Sequence, residues 1–235
     1  MDHYSYTNPG GHEPNCDVIS VVEHDDSLFI VFCDGLNGMP SGDEAAKIIS
    51  ETAMGAFLEG EAPVEVCKTA NRKFREMQFD NVDLRRAGST ICALQIKDGH
   101  CSWANVGDSR IYHFSQGRLA DYSVDDTSVY REFERGEIPY EAIREREDRT
   151  GLLVCVGQIE NIEPHSGEFD ILSRDGIVVC SDGLWEHVYE TEMLIDLHKS
   201  YNAKDWAQKM ILRAVARDHL KGDNLSLITY LKLEG

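Results

Sequence analysis

Thr90-Ile91-Cys92-Ala93-Leu94-Gln95-Ile96-Lys97-Asp98-Gly99-His100-Cys101-Ser102-Trp103-Ala104-Asn105-Val106 decides the fold class. Both flanks are apolar. Between them, Asp98-Gly99 is a dipeptide favoured in tight hairpin turns, where the central residues take positive φ. The stretch therefore predicts antiparallel strands over 90–96 and 101–106. Just downstream, 110–114 and 118–122 flank a second turn at Ser115-Gln116-Gly117. Upstream, 18–22 and 28–33 flank Asp25-Asp26-Ser27. Further strands are expected at 152–156, 169–172, 177–180 and 225–231.

Helical patterns fall in two places. Ser41-x-x-Glu44 is a capping-box pattern ahead of Ala45, Ala46, Ile49 and Ala53. Residues 63–78 place Val66, Ala70, Phe74 and Met77 on one face, and 203–219 carry Trp206, Met210 and Ala214 as a stripe. Residues 124–150 are charged, with a short helix expected at 139–147, and read as a surface insertion or flap. Hairpins with helices in two groups predict an α+β class, sheet packed on sheet with helices outside. No repeat or linker interrupts 1–235, so one domain is expected.

The chain has 235 residues, 42% of them hydrophobic and 28% charged, which suits a soluble globular domain. A net charge of −19 argues against nucleic acid as a partner, because phosphate backbones attract basic surfaces. No apolar run is long enough for a membrane span. Met1-Asp2-His3-Tyr4-Ser5-Tyr6 lacks the features of a secretory signal, and a cytoplasmic location is expected. The seven cysteines form no C-x-x-C. Cys33, Cys92, Cys155 and Cys180 lie in apolar runs and read as small buried residues in a reducing compartment.

Asp34, Asp108, Asp182 and Asp223 stand at the ends of strand-like runs. A carboxylate there is costly unless a turn, a helix start or a cation compensates it. Each alone could cap a turn. Together they suit a hard divalent cation such as Mg²⁺ or Mn²⁺. Asp108 has a second reading, as a salt-bridge partner of nearby Arg110.

The blocks Phe32-Cys33-Asp34-Gly35, Gly88-Ser89-Thr90, Ala104-Asn105-Val106-Gly107-Asp108-Ser109-Arg110, Cys180-Ser181-Asp182-Gly183-Leu184-Trp185 and Gly222-Asp223-Asn224-Leu225-Ser226 follow one another in a familiar order. In order and spacing the chain resembles the metal-dependent PP2C-type (PPM) Ser/Thr protein phosphatases, bacterial members above all, from about Gly11 to Leu231. The resemblance implies a four-layer α/β/β/α sandwich of two mainly antiparallel sheets. It also implies two, or with a weaker site three, Mg²⁺ or Mn²⁺ ions. Asp34 would bridge two ions, with the Gly35 carbonyl on one and Asp182 and Asp223 on the other. Asp108 would serve the third. Hydrolysis of phosphoserine and phosphothreonine would proceed by attack of a metal-bridging water, without a phosphoenzyme. The implied substrates are phosphorylated proteins, the products of a Ser/Thr kinase, and a monomer is expected.

The N-terminal block departs from the family pattern Arg-x-x-Asn-Glu-Asp, reading His12-Glu13-Pro14-Asn15-Cys16-Asp17. His12 stands at the phosphate-gripping Arg position and is the candidate phosphate contact, or else an exposed loop residue. Cys16 replaces a hard oxygen ligand with sulfur and reads as a small, partly buried residue. Asp17 and Glu13 are candidates to compensate, Asp17 as a metal ligand. Asn224 reads as a turn former. Leu36-Asn37 follows Asp34-Gly35 where many eukaryotic members carry a His general acid, which predicts a preference for good leaving groups. The changes at 12 and 16 keep an alternative alive: a weakened phosphatase-fold module acting by binding. A hydrolase of small phosphoesters is a third reading.

Overall fold

A computed structural model describes residues 1–36 and 41–233; Asn37 lies outside them. In chain order the elements begin with β1 (His3–Asn8), β2 (Asp17–His24), β3 (Ser27–Asp34), α1 (Gly42–Leu58) and α2 (Pro63–Asp80). The middle is β4 (Ile91–Lys97), β5 (His100–Val106), β6 (Arg110–Ser115), β7 (Arg118–Tyr122) and α3 (Ser128–Glu134). The chain ends with β8 (His165–Asp170), β9 (Gly176–Cys180), α4 (Asp182–Trp185), α5 (Glu190–His198), α6 (Ala203–Asp218) and β10 (Leu225–Leu231).

Two five-stranded antiparallel sheets form, ordered β2-β3-β4-β5-β8 and β1-β10-β9-β6-β7. Strand β3 shows why the stack has four layers. Every second side chain points the same way. Leu28, Ile30 and Phe32 meet Ile111, Ile177, Val179 and Ile228 of the other sheet. Phe29, Val31 and Cys33 pack outward beneath α1 and α2, against Ile49, Phe57, Val66 and Phe74. Both faces are covered, so the strand is apolar without alternation. On the far side, α5 and α6 cover the second sheet through Met193, Trp206, Ala207 and Met210 against Phe114, Val178 and Leu227. The α+β sandwich expected from the hairpins is what the chain forms.

Local expectations fail at the edges. Strand β1 carries a half-exposed, polar pattern, as does β8, whose expected position at 169–172 moves to His165–Asp170. Both lie at sheet edges, where the covering layers thin out, so the apolar signal is weak there. Residues 152–156 form only isolated bridges, Thr127 with Leu152 and Ser89 with Val156. The capping box at Ser41 does not form. Ser41 is left-handed (φ 61°) and its side chain caps nothing, because a cap needs an extended backbone to aim the hydroxyl at the first turn. Within 124–150 a helix appears at Ser128–Glu134, and the expected 139–147 helix is a 3₁₀ turn at Tyr140–Glu145. Val129, Tyr130 and Ile143 bury a small apolar cluster of their own. Among the described residues no helix is long and apolar enough to cross a membrane.

Candidate metal centre

The antiparallel pairing of β2 and β3 sets Asp17 opposite Asp34 at the end of the first sheet. The Asp34 backbone is clamped: its N–H donates to Thr90 Oγ1 (3.0 Å), and its carbonyl accepts from the Thr90 N–H (2.8 Å) and Ser89 Oγ (2.9 Å). Gly35 follows because α1 begins against it. A Cβ on Gly35 would stand 2.1 Å from the Gly42 carbonyl oxygen. This fold contact, and not only approach to an ion, excludes a side chain there.

Asp108 sits in the β5–β6 turn, where Gly107 has φ 106° and lies against Thr90. Trp185 Nε1 donates to the Asp108 carbonyl (2.9 Å), and Asp126 brackets Gly107, accepting its N–H at Oδ2 (3.0 Å). Asp182 opens α4, directly after Ser181, whose hydroxyl donates to Asp17 Oδ2 (2.9 Å). Gly183 lets that helix abut the next loop, since a Cβ would stand 2.2 Å from the Asn224 carbonyl oxygen. Asp34, Gly35, Leu36, Thr90, Asp108, Thr150, Leu152, Asp182 and Asp223 line one cleft of about 140 Å³.

Four of the five predicted carboxylates thus face one space, and Asp17 stands behind Asp34. His12 and Cys16 are not among the residues lining the cleft. His12 is exposed. Cys16 is buried, its thiol donating to the Pro14 carbonyl (3.7 Å), and burial beside Asp43, Asp17 and Asp223 pushes it up to about 11. It therefore stays a thiol, as expected for a small packed residue. Arg110 does not choose Asp108. Its guanidinium takes Asp125 with Nε (2.9 Å) and Nη2 (2.6 Å) and stacks 3.7 Å over Trp185, the residue that holds the Asp108 carbonyl.

That pair carries a stability prediction, since Arg110 and Asp125 are buried almost completely. Asp125→Ala leaves a buried cation without its partner and is expected to cost about 3–5 kcal/mol. Urea unfolding measures it, and a loss under about 1 kcal/mol would contradict the burial.

Sequence reasoning missed the role of Asn224. Its amide nitrogen donates to the carbonyls of Pro9 (2.8 Å) and His12 (3.0 Å), and its amide oxygen accepts the Cys16 N–H (2.8 Å). One side chain pins the N-terminal loop beside Asp223. Only an amide offers donor and acceptor together, which is the signal that the residue type carried.

Electrostatically the centre is strained. Burial, then the other carboxylates, push Asp34 and Asp182 well above the usual carboxylate range. Burial raises Asp17 to about 7 and, with Asp125 adding, Asp108 to about 8. Asp17 Oδ1 and Asp182 Oδ1 are buried without a hydrogen-bond partner among the described residues. Among the described residues no three His, Cys, Asp or Glu side chains close around a single point. Mutually repelling carboxylates stand apart, and a divalent cation would draw them together. Orphaned oxygens, raised carboxylates and a purely oxygen donor set fit hard cations.

Residues 10–222 match the family described as protein phosphatase 2C. A serine/threonine phosphatase of Listeria welshimeri is 26% identical over 200 residues, 81% of this chain and 79% of its own. The crystal structure of a serine/threonine phosphatase from Staphylococcus aureus superposes with a TM-score of 0.88 at 22% identity, covering 100% of this chain and 96% of that one. The catalytic domain of the phosphatase PstP, solved in complex with two manganese ions, superposes with a TM-score of 0.80 at 21% identity over 99% and 98% of the two chains. At these identities the superpositions establish the fold.

Proposed function

The chain belongs to the protein phosphatase 2C family, and from that membership we propose a metal-dependent phosphoprotein phosphatase that hydrolyses phosphoserine and phosphothreonine. The observation that carries the reading is the single small cleft faced by Asp34, Gly35, Asp108, Asp182 and Asp223. Relatives across most of this length are named serine/threonine phosphatases. The proposed substrates are proteins phosphorylated by a Ser/Thr kinase.

Asp34, Gly35, Asp182 and Asp223 would hold two Mn²⁺ or Mg²⁺ ions, and Asp108 would serve a third. Bound there, the ions supply neutralisation of the phosphoryl oxygens and activation of water. The chain's own residues do the rest. Ser89 and Thr90 fix the Asp34 backbone, which sets the point from which its carboxylate enters the cleft. Ser181 orients Asp17 behind it. Trp185 and Asp126 hold the turn that presents Asp108. His12, which the resemblance sets at the family's phosphate-gripping Arg position, is the proposed phosphate contact, although it is exposed and does not line the cleft. Leu36, at the cleft wall, offers no proton to a leaving alkoxide.

The test is hydrolysis of p-nitrophenyl phosphate and of a phosphothreonine peptide with Mn²⁺. Both are expected to turn over, the aryl ester faster because its leaving group needs no acid, and chelation by EDTA should stop both. Turnover that persists in EDTA, or none above an Asp34→Asn control, sinks the reading.

A further inference from the structure

Two concavities larger than the carboxylate cleft lie along α2. The smaller of them, of about 420 Å³, is lined by Arg75, Gln78, Phe79, Arg85, Gly157 and Gln158. We propose that this groove is a specificity subsite for a Glu or Asp side chain flanking the phosphorylated residue of the substrate. The proposal rests on the phosphatase reading above.

Three observations support it. The first is charge. In a chain of net charge −19, Arg75 and Arg85 line the groove and, among the described residues, no carboxylate does. The surrounding stretch sets Lys68, Arg72, Lys73, Arg75, Arg85 and Arg86 against only Glu76, Asp80 and Asp83. The outward continuation along α2 is mixed: Glu65, Glu76, Glu160 and Glu163 line it together with Lys68, Arg72 and Arg75, and Lys68 there already pairs with Glu65 (3.5 Å) and Glu163 (3.9 Å). Of the two, the inner end is the one whose described lining holds arginines and no carboxylate.

The second is availability. Arg85 is exposed and makes no side-chain hydrogen bond or ion pair among the described residues. Arg75 Nη1 donates to the Gly157 carbonyl (3.2 Å), which fixes that guanidinium at the groove wall while its other edge keeps its donors. A planar fork held in place is suited to a carboxylate. Phe79, 78% exposed, adds an apolar edge for the stem of the same side chain.

The third is position. Gln158 donates to the carbonyls of Arg86 (3.0 Å) and Ala87 (2.9 Å), fastening the groove wall to the segment that leads into Gly88, Ser89 and Thr90. At Gly88, an added Cβ would touch both Gln158 of the groove (3.4 Å) and Leu36 of the catalytic cleft (3.2 Å). One glycine separates the two sites. A peptide crossing over Leu36 and Gln158, which meet at the buried Gly88, would place its phosphate among the aspartates and a flanking side chain between the arginines.

The experiment compares three substrates with wild type and Arg85→Glu: p-nitrophenyl phosphate, a phosphothreonine peptide with neutral flanks and one with Glu flanks on both sides. The wild type is expected to favour the acidic peptide through KM. Arg85→Glu should raise that KM by about 10-fold, the worth of a charged hydrogen bond. The other two substrates should be unaffected, and rising salt should erase the preference. A wild type indifferent to flanking charge, or a preference that survives Arg85→Glu, overturns the proposal. Anisotropy of the labelled acidic peptide on Asp34→Asn protein reads the groove without turnover, and binding insensitive to Arg85→Glu overturns it equally. Charge-dependent binding with no turnover by the wild type would leave the groove standing and refute the phosphatase reading.

Discussion

Asp34→Asn is expected to lower kcat on every phosphoester by at least about 10³-fold, roughly 4 kcal/mol of transition-state stabilisation. The side chain loses one anionic oxygen and almost no volume, so the effect isolates charge from packing. The backbone that carries it stays clamped by Ser89 and Thr90 through bonds that the substitution does not touch. Removing one of several close carboxylates also relieves repulsion from Asp17 and Asp182. The variant should therefore unfold at a higher temperature than wild type without metal, and gain less on adding Mn²⁺. Activity and stability move in opposite directions, which a general folding defect cannot imitate. Steady-state kinetics with p-nitrophenyl phosphate and thermal unfolding on the same samples check it. Retention of more than about a tenth of wild-type kcat would remove Asp34 from the ligand set.

The parts of this molecule that were legible in its sequence share a physical origin. Strand β3 is buried on both faces, so its composition alone announced it, and Asp98-Gly99 named its own turn. The aspartates were legible because charge at the end of an apolar run is anomalous unless it has work to do. What escaped was relational. Strands β1 and β8 are edges whose half-polar sequences look like loops. Arg110 seemed suited to Asp108 by nearness in sequence, yet the strand turns its guanidinium to Asp125 and Trp185. Asn224 looked like a turn former because its three partners lie more than two hundred residues away. Residues 124–150 looked merely charged, although Asp125 and Asp126 in that stretch anchor the turn that carries Asp108.

Metal-free protein should lose stability as pH rises between about 4 and about 8, opposite to the gain that carboxylates with lowered values give on leaving acid. The sign follows from the buried carboxylates. Asp17, near 7 when folded, and Asp108, near 8, hold their protons more tightly in the fold than in the unfolded chain. The folded state binds more protons across that window, so stability is fully present below about 4, the unfolded value, and falls as pH climbs through the folded values. A rise of three units or more in each group is on the order of 4 kcal/mol apiece before coupling between them reduces the sum. The half-exposed His165, raised by its bond to Asp126, adds a smaller decline of the same sign. Glu192 works oppositely but elsewhere: Arg217 holds it down to about 2, so its contribution fades only below about 4. Divalent cations reverse the slope. An ion that accepts the ionised oxygens takes over from the proton, and its grip improves as protons leave. The gap in unfolding temperature between Mn²⁺-saturated and metal-free protein should therefore widen steadily from pH 5 to pH 8. Asp108→Asn should flatten the metal-free decline by the share that Asp108 contributes, while leaving the His165 share in place. A metal-free protein that grows more stable over this range, or a gap that does not change with pH, would mean that these aspartates are ionised without help and that the cleft was not built around a cation.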